Sequence, residues 1–125
     1  MKPLYFLFTV FFIHTISAQN LDDKDIIIAD FTKGYNYLSP SMIFDLLDEK
    51  YQEKMTMEEI DRFLDSTNQT LGMIEDCRMI SEKDGEKSYI MQAEKSSMIM
   101  KFEFSVDNKI THYEKEVLAA SIPTF

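Results

Sequence analysis

Cys77 and His112 are the side chains best suited by type to nucleophilic chemistry once the N-terminal leader considered below, with its His14, is set aside. A thiol nucleophile needs a base within reach and a third group to orient that base. Glu75 and Asp76 precede Cys77 directly, and as neighbouring anions they oppose thiolate formation. His112, between Thr111 and Tyr113, has no acidic partner that its sequence position aims into a shared cavity. Asp30 and Asp45 fall on predicted helices with no further claim to pair with it. The pattern predicts no catalytic residue, and a small enzyme working through His112 is the least favoured reading.

Metal and phosphate chemistry are equally short of residues. Zinc takes three or four Cys or His ligands, and Cys77 and His112 do not make such a set. Asp22-Asp23-Lys24-Asp25 is dense in oxygen but stands at the start of an apolar-periodic stretch, where helix capping is the better account. Gly34, Gly72 and Gly85 are too scattered for a phosphate-binding loop. No metal and no cofactor are expected. Asn68-Gln69-Thr70 is a glycosylation sequon at a helix end and is read as incidental.

The aromatic and methionine residues are the remaining chemistry. Phe31, Tyr35, Phe63, Met91, Met98 and Phe102 are expected to line any ligand cavity, since methionine adapts to varied apolar shapes. The same residues at helical and strand spacing are also what a plain hydrophobic core requires.

The elements that position them divide into helices first and strands second. Asp22 and Asp23 cap a helix carrying Ile27, Phe31, Tyr35 and Leu38. Ser39-Pro40 stops it and starts a short second helix with Ile43, Phe44, Leu46 and Leu47. Residues 50–55 read as polar and irregular. Thr56 and Glu59 form a capping box for a third helix bearing Ile60, Phe63, Leu64, Thr67 and Leu71, and Gly72 stands where a positive φ is wanted.

After Gly72 the period changes to two. Met98, Met100, Phe102 and Phe104 alternate with Ile99, Lys101, Glu103 and Ser105. Tyr89, Met91 and Ala93 mark the dry side of the preceding strand, and strands are also predicted over 73–80 and 109–116. Asp84-Gly85, Lys95-Ser96 and Asp107-Asn108 suit tight hairpins, so the strands are antiparallel neighbours. The fold class is α+β: three N-terminal helices packed on one face of a curled four-stranded antiparallel sheet.

This order resembles the cone-shaped fold of the nuclear-transport-factor-two-like superfamily, and most closely its small bacterial domains of unknown function that follow a signal peptide. The likeness is carried by Ile27-Ile28-Ala29-Asp30-Phe31, by 42–48 (Met-Ile-Phe-Asp-Leu-Leu-Asp), by Leu71-Gly72, and by 102–110 across the last hairpin. It covers about residues 22–116. The resemblance implies an enzyme, a ligand binder or a dimerising accessory domain; the enzymes place an acid–base pair such as Asp–His inside the cone, and this chain departs from that pattern.

The N-terminus sets the compartment. Met1-Lys2, an apolar run over 4–16 and Ser17-Ala18 are the three parts of a signal peptide, with cleavage expected after Ala18. The run is shorter than the roughly 20 residues that span a bilayer, so no stable membrane insertion is expected after cleavage. The working protein would be a single exported domain, 19–125, secreted or periplasmic, with its core at about 22–116 and an apolar tail at 117–125. Loss of Lys2 with the leader takes the formal charge from −9 to −10, which disfavours nucleic acid as a partner. Ile90 and Ile99, apolar on the otherwise polar side of adjacent strands, are the expected interface of a homodimer or a neighbouring exported protein. The function expected is a non-enzymatic interaction domain acting through the sheet or the cone mouth, or alternatively a carrier of a small apolar ligand.

Overall fold

The computed structural model describes residues 22–118. The leader, the cleavage point after Ala18 and residues 119–125 of the tail lie outside the described residues. The chain is α+β, with helices α1 (Asp23–Asn36), α2 (Pro40–Phe44), α3 (Glu49–Lys54) and α4 (Met57–Leu71) followed by strands β1 (Ile74–Lys83), β2 (Glu86–Ala93), β3 (Ser97–Phe104) and β4 (Ile110–Val117). The strands form one antiparallel meander in the order β1-β2-β3-β4, which does not close into a barrel.

Asp22 caps α1 by accepting the Asp25 N–H at 2.8 Å. The helix buries Ile28, Phe31, Gly34 and Tyr35. The expected stripe ran from Ile27 to Leu38, but the helix ends at Asn36 and Leu38 is half exposed at φ 53. The cause is local: Ser39 precedes a proline and must be extended, so the chain turns over before it. A Cβ on Gly34 would stand 2.9 Å from Ile43 Cδ1, so the absent side chain is what lets α2 lie directly on α1.

Three helices were expected, and four are present among the described residues. Residues 49–54 form α3, whose cap is Asp48, accepting the Lys50 N–H at 3.2 Å. The stretch has no apolar period because no face of it is fully buried; Tyr51 is its anchor, donating to Tyr113 O at 3.5 Å and accepting from Tyr113 N at 3.3 Å. The capping box of α4 forms as expected, with Thr56 Oγ1 accepting from Glu59 N at 3.1 Å and Glu59 Oε1 accepting from Thr56 N at 3.2 Å. Gly72 takes φ +85 at the exit of α4, and its carbonyl accepts the Tyr35 hydroxyl at 2.8 Å, which ties α1 to the helix-to-sheet junction.

In β3, Met98, Met100 and Phe102 are fully buried, and each pairs with an inward residue of β2 or β4. Phe31 meets Phe102 edge-on at 5.0 Å and Tyr113 at 5.4 Å, while Phe63 of α4 meets Tyr113 at 5.3 Å. These rings join the helices to the sheet. Tyr113 Oη is buried without a hydrogen-bond partner among the described residues.

The two sheet edges are treated differently. At β4, Asp48 N donates to Ile110 O at 2.8 Å and Ile110 N to Leu46 O at 2.9 Å. Together with Tyr51 these contacts seal the edge through Tyr113. At β1 the Asn36 carboxamide imitates a neighbouring strand at Ile74, accepting from its N–H at 2.8 Å and donating to its carbonyl at 3.0 Å. Beyond Ile74, no backbone group among the described residues pairs with the outer side of β1.

Candidate binding cleft

A cleft of about 500 Å³ opens between α1 and β1. One helix face supplies Asp25, Ile28, Ala29 and Thr32, spaced by three and four residues, and β1 supplies Ile74, Glu75, Asp76, Cys77 and Met79, with Tyr89 behind them. Ala29 is exposed on this face, and its methyl leaves the middle of the cleft unfilled. Cys77 and Met79 pair with Met91 and Tyr89, so they stand on the core-facing side of the sheet. The floor is thus apolar and the rim is acidic.

Both ends of the cleft are braced. Asn36 holds the Ile74 end, as described. At the other end Lys87, only 2 % exposed, donates from Nζ to Asp22 Oδ2 at 2.9 Å and to Asp25 Oδ1 at 3.3 Å. Tyr89 Oη donates to the same Asp25 oxygen at 2.8 Å. The Lys87 ammonium holds the Asp22 carboxyl below the ordinary carboxylate range. Burial acts against the Lys87 charge, but its two carboxylate partners outweigh it and raise the group above its usual value. Burial, followed by the hydrogen bond to Asp25, pushes the Tyr89 phenol up. Lys87 is therefore a committed ammonium and Tyr89 a neutral donor. Neither is free to exchange protons with a substrate near neutral pH.

Cys77 is partly buried, and its thiol is pushed up to about 11 by burial first and by the Asp76 charge second. It is a thiol, not a thiolate, at physiological pH. Its alkylation by iodoacetamide should be slower than that of an ordinary exposed cysteine by at least about tenfold at pH 8, and should keep rising with pH up to about 11. A plateau near pH 8.5 would show that the surroundings do not protect the thiol as described.

The sequence-selected residues fall elsewhere. Phe31, Tyr35, Met91, Met98 and Phe102 are fully buried members of the core, and Phe63 packs at its margin. None of the six lines the cleft. Ile90 and Ile99 pair directly across β2 and β3, both half-buried, flanked by Arg78 and Glu116 in the neighbouring strands. His112 lies on β4, the edge opposite β1, with its side chain 46 % exposed and Nε2 3.2 Å from Glu114 Oε2. Two strands separate it from Cys77, so the chain does not bring them together. Thr32 and Lys87 were not singled out by sequence, while Asp25 was named only within the capping cluster and Tyr89 only as a core-facing strand residue. The one available signal was a lysine at an inward position of β2, in phase with Tyr89, Met91 and Ala93.

Among the described residues, no group of three or more His, Cys, Asp or Glu side chains converges as a metal site would, and no helix is long and apolar enough to cross a membrane. Comparison with family models, with curated proteins and with solved structures finds no match to this chain.

Proposed function

We propose that this is an exported, non-enzymatic binding domain whose ligand enters the cleft between α1 and β1. The observation that carries the reading is the cleft itself: an apolar floor of Ile28, Ala29, Ile74, Cys77 and Met79, braced at both ends and rimmed by Asp25, Glu75 and Asp76. A concave, mostly apolar site with a few oriented polar groups is the usual form of a ligand pocket. A binding role is favoured over catalysis because Cys77 is held as a thiol, Lys87 is saturated by carboxylates, and His112 is far from both. The finer architecture proposed with it is a set of helices gathered on one face of a curled sheet, in the manner of the nuclear-transport-factor-two-like superfamily. The contacts of Phe31 and Phe63 with Phe102 and Tyr113 support that arrangement. Export rests on the N-terminal signal pattern. The outer pair Ile90 and Ile99 offers two half-buried side chains between charges, a weaker candidate for the principal surface.

The test uses residues 19–125, labelled with ¹⁵N and titrated with 1-octanol as an uncharged apolar probe. Amide shifts are expected to centre on Ala29, Thr32, Cys77 and Met79. In Ala29→Trp, which fills the cleft from an exposed position at a stability change within about 0.5 kcal/mol, those shifts should be lost. Shifts centred on Ile90 and Ile99, or retained in Ala29→Trp, would refute the cleft as the site.

A further inference from the structure

The open edge of β1 and the cleft are one feature. Bulges interrupt β1 between Ile74 and Asp76 and again between Met79 and Ser81, leaving Asp76–Met79 as a regular stretch. In an antiparallel ladder alternate residues turn both backbone groups away from their partner strand. In this stretch those groups have no acceptor or donor among the described residues, whereas at the opposite edge 46–48 and Tyr51 cover β4 from Ile110 to Tyr113. Around the open edge Met73, Met79 and Ile80 are each about half exposed. A partly apolar edge left unpaired among the described residues is a template for another strand.

We infer that the occupant of the cleft is an extended basic segment of a partner protein, added to β1 as a fifth strand. The inference rests on the cleft reading above and names its ligand class. A strand placed beside Asp76–Met79 would continue the sheet beneath α1. Every second side chain would then enter the space between Cys77 and Met79 on one side and Ile28, Ala29 and Thr32 on the other. Its polar ends would meet Glu75 and Asp76 at the rim, where Arg78, 3.4 Å from Asp76, is exposed and screened by solvent. Charge decides between a basic partner and a second copy of this chain. A net charge of −9 and a pI near 4.6 make self-association through an acidic rim repulsive and a cationic segment attractive.

The probe is a capped heptapeptide of alternating lysine and valine, with its glutamate–valine counterpart as control, added to ¹⁵N-labelled residues 19–125. The expected result is saturable binding of the lysine peptide, with shifts at Ala29, Thr32, Cys77 and Met79. Amide exchange within 76–79 should slow at least about tenfold, and affinity should fall at least about threefold between 20 and 200 mM salt. The glutamate peptide should not bind. Equal binding of both peptides, or binding without protection of 76–79, overturns the proposal. So does a protein that is already a dimer by sedimentation with those amides protected. A response to 1-octanol with none to the lysine peptide overturns strand addition while leaving the cleft reading intact; silence toward both removes the two together.

Discussion

Phe31→Ala is expected to lower stability by about 3–5 kcal/mol, the range for removing a fully buried aromatic ring from a packed core. Phe31 is 0 % exposed, and its ring meets Phe63, Phe102 and Tyr113, which lie on α4, β3 and β4. A domain of this size is held by only about 5–15 kcal/mol, so the variant should be partly unfolded at 37 °C. Its urea midpoint should fall by more than about 1 M, with the denaturant slope little changed. The result also separates two accounts of the interior. If Phe31 lined an empty ligand cavity, truncation would remove few contacts and cost less than about 1 kcal/mol. A loss of that smaller size would contradict the packed core and shift the search for a ligand site inward from the α1–β1 cleft.

Lys87→Met should cost about 2 kcal/mol, less than the roughly 3–5 kcal/mol for breaking a wholly buried ion pair, because Asp22 remains 56 % exposed. What is lost is the counter-charge to Asp25, whose other contact is the Tyr89 hydroxyl. Adding Asp25→Asn should recover about half of the loss, since the amide oxygen still accepts from Tyr89 and no unpaired anion is left. Failure of the second change to recover anything would show that the unpaired Asp25 charge is not the source of the loss.

The pH dependence follows from the same pair. The Asp22 carboxyl is lowered below its ordinary 3.8, so its contribution is present above about pH 4 and is lost as pH falls through the lower folded value. Lys87 is raised above its ordinary 10.5, so its contribution is complete below that pH and is lost as pH rises through the folded value. The wild type should therefore lose stability at both ends of the scale. Lys87→Met should lack the loss at high pH and keep only the part of the Asp22 contribution that comes from the backbone N–H groups of Asp25 and Lys24. Because the cluster closes one end of the cleft, the variant should also show faster amide exchange over 23–29 than over 57–71.

The local grammar of the chain was legible, and the long-range contacts were not. Asp22, Ser39-Pro40, the Thr56–Glu59 box, Gly72 and the alternation of 98–104 each act on backbone within a few residues, so their consequences can be read from spacing. α3 escaped because its stability comes from Tyr51 reaching the edge of β4, a contact 62 residues away that no periodicity announces. Leu38 was read as helical because it continues an apolar period, and the proline two residues later overrode that period. The site shows the same limit. Lys87 stands in phase with the inward residues of β2, but its partners come from far along the chain: Asp22 and Asp25 arrive from the start of α1, 65 and 62 residues away. The cleft depends on a methyl at Ala29 and on two bulges in β1, features that composition does not mark.

Cys77 gives the most direct measurement, because the chain's lone thiol lines the cleft. Its alkylation rate should be followed at pH 9 in residues 19–125, with and without saturating lysine–valine peptide, in wild type and in Ala29→Trp. The account predicts that the peptide slows alkylation at least about tenfold in the wild type and leaves the rate in Ala29→Trp unchanged. A wild-type rate that does not change while the peptide is demonstrably bound would place the binding site elsewhere and contradict the account.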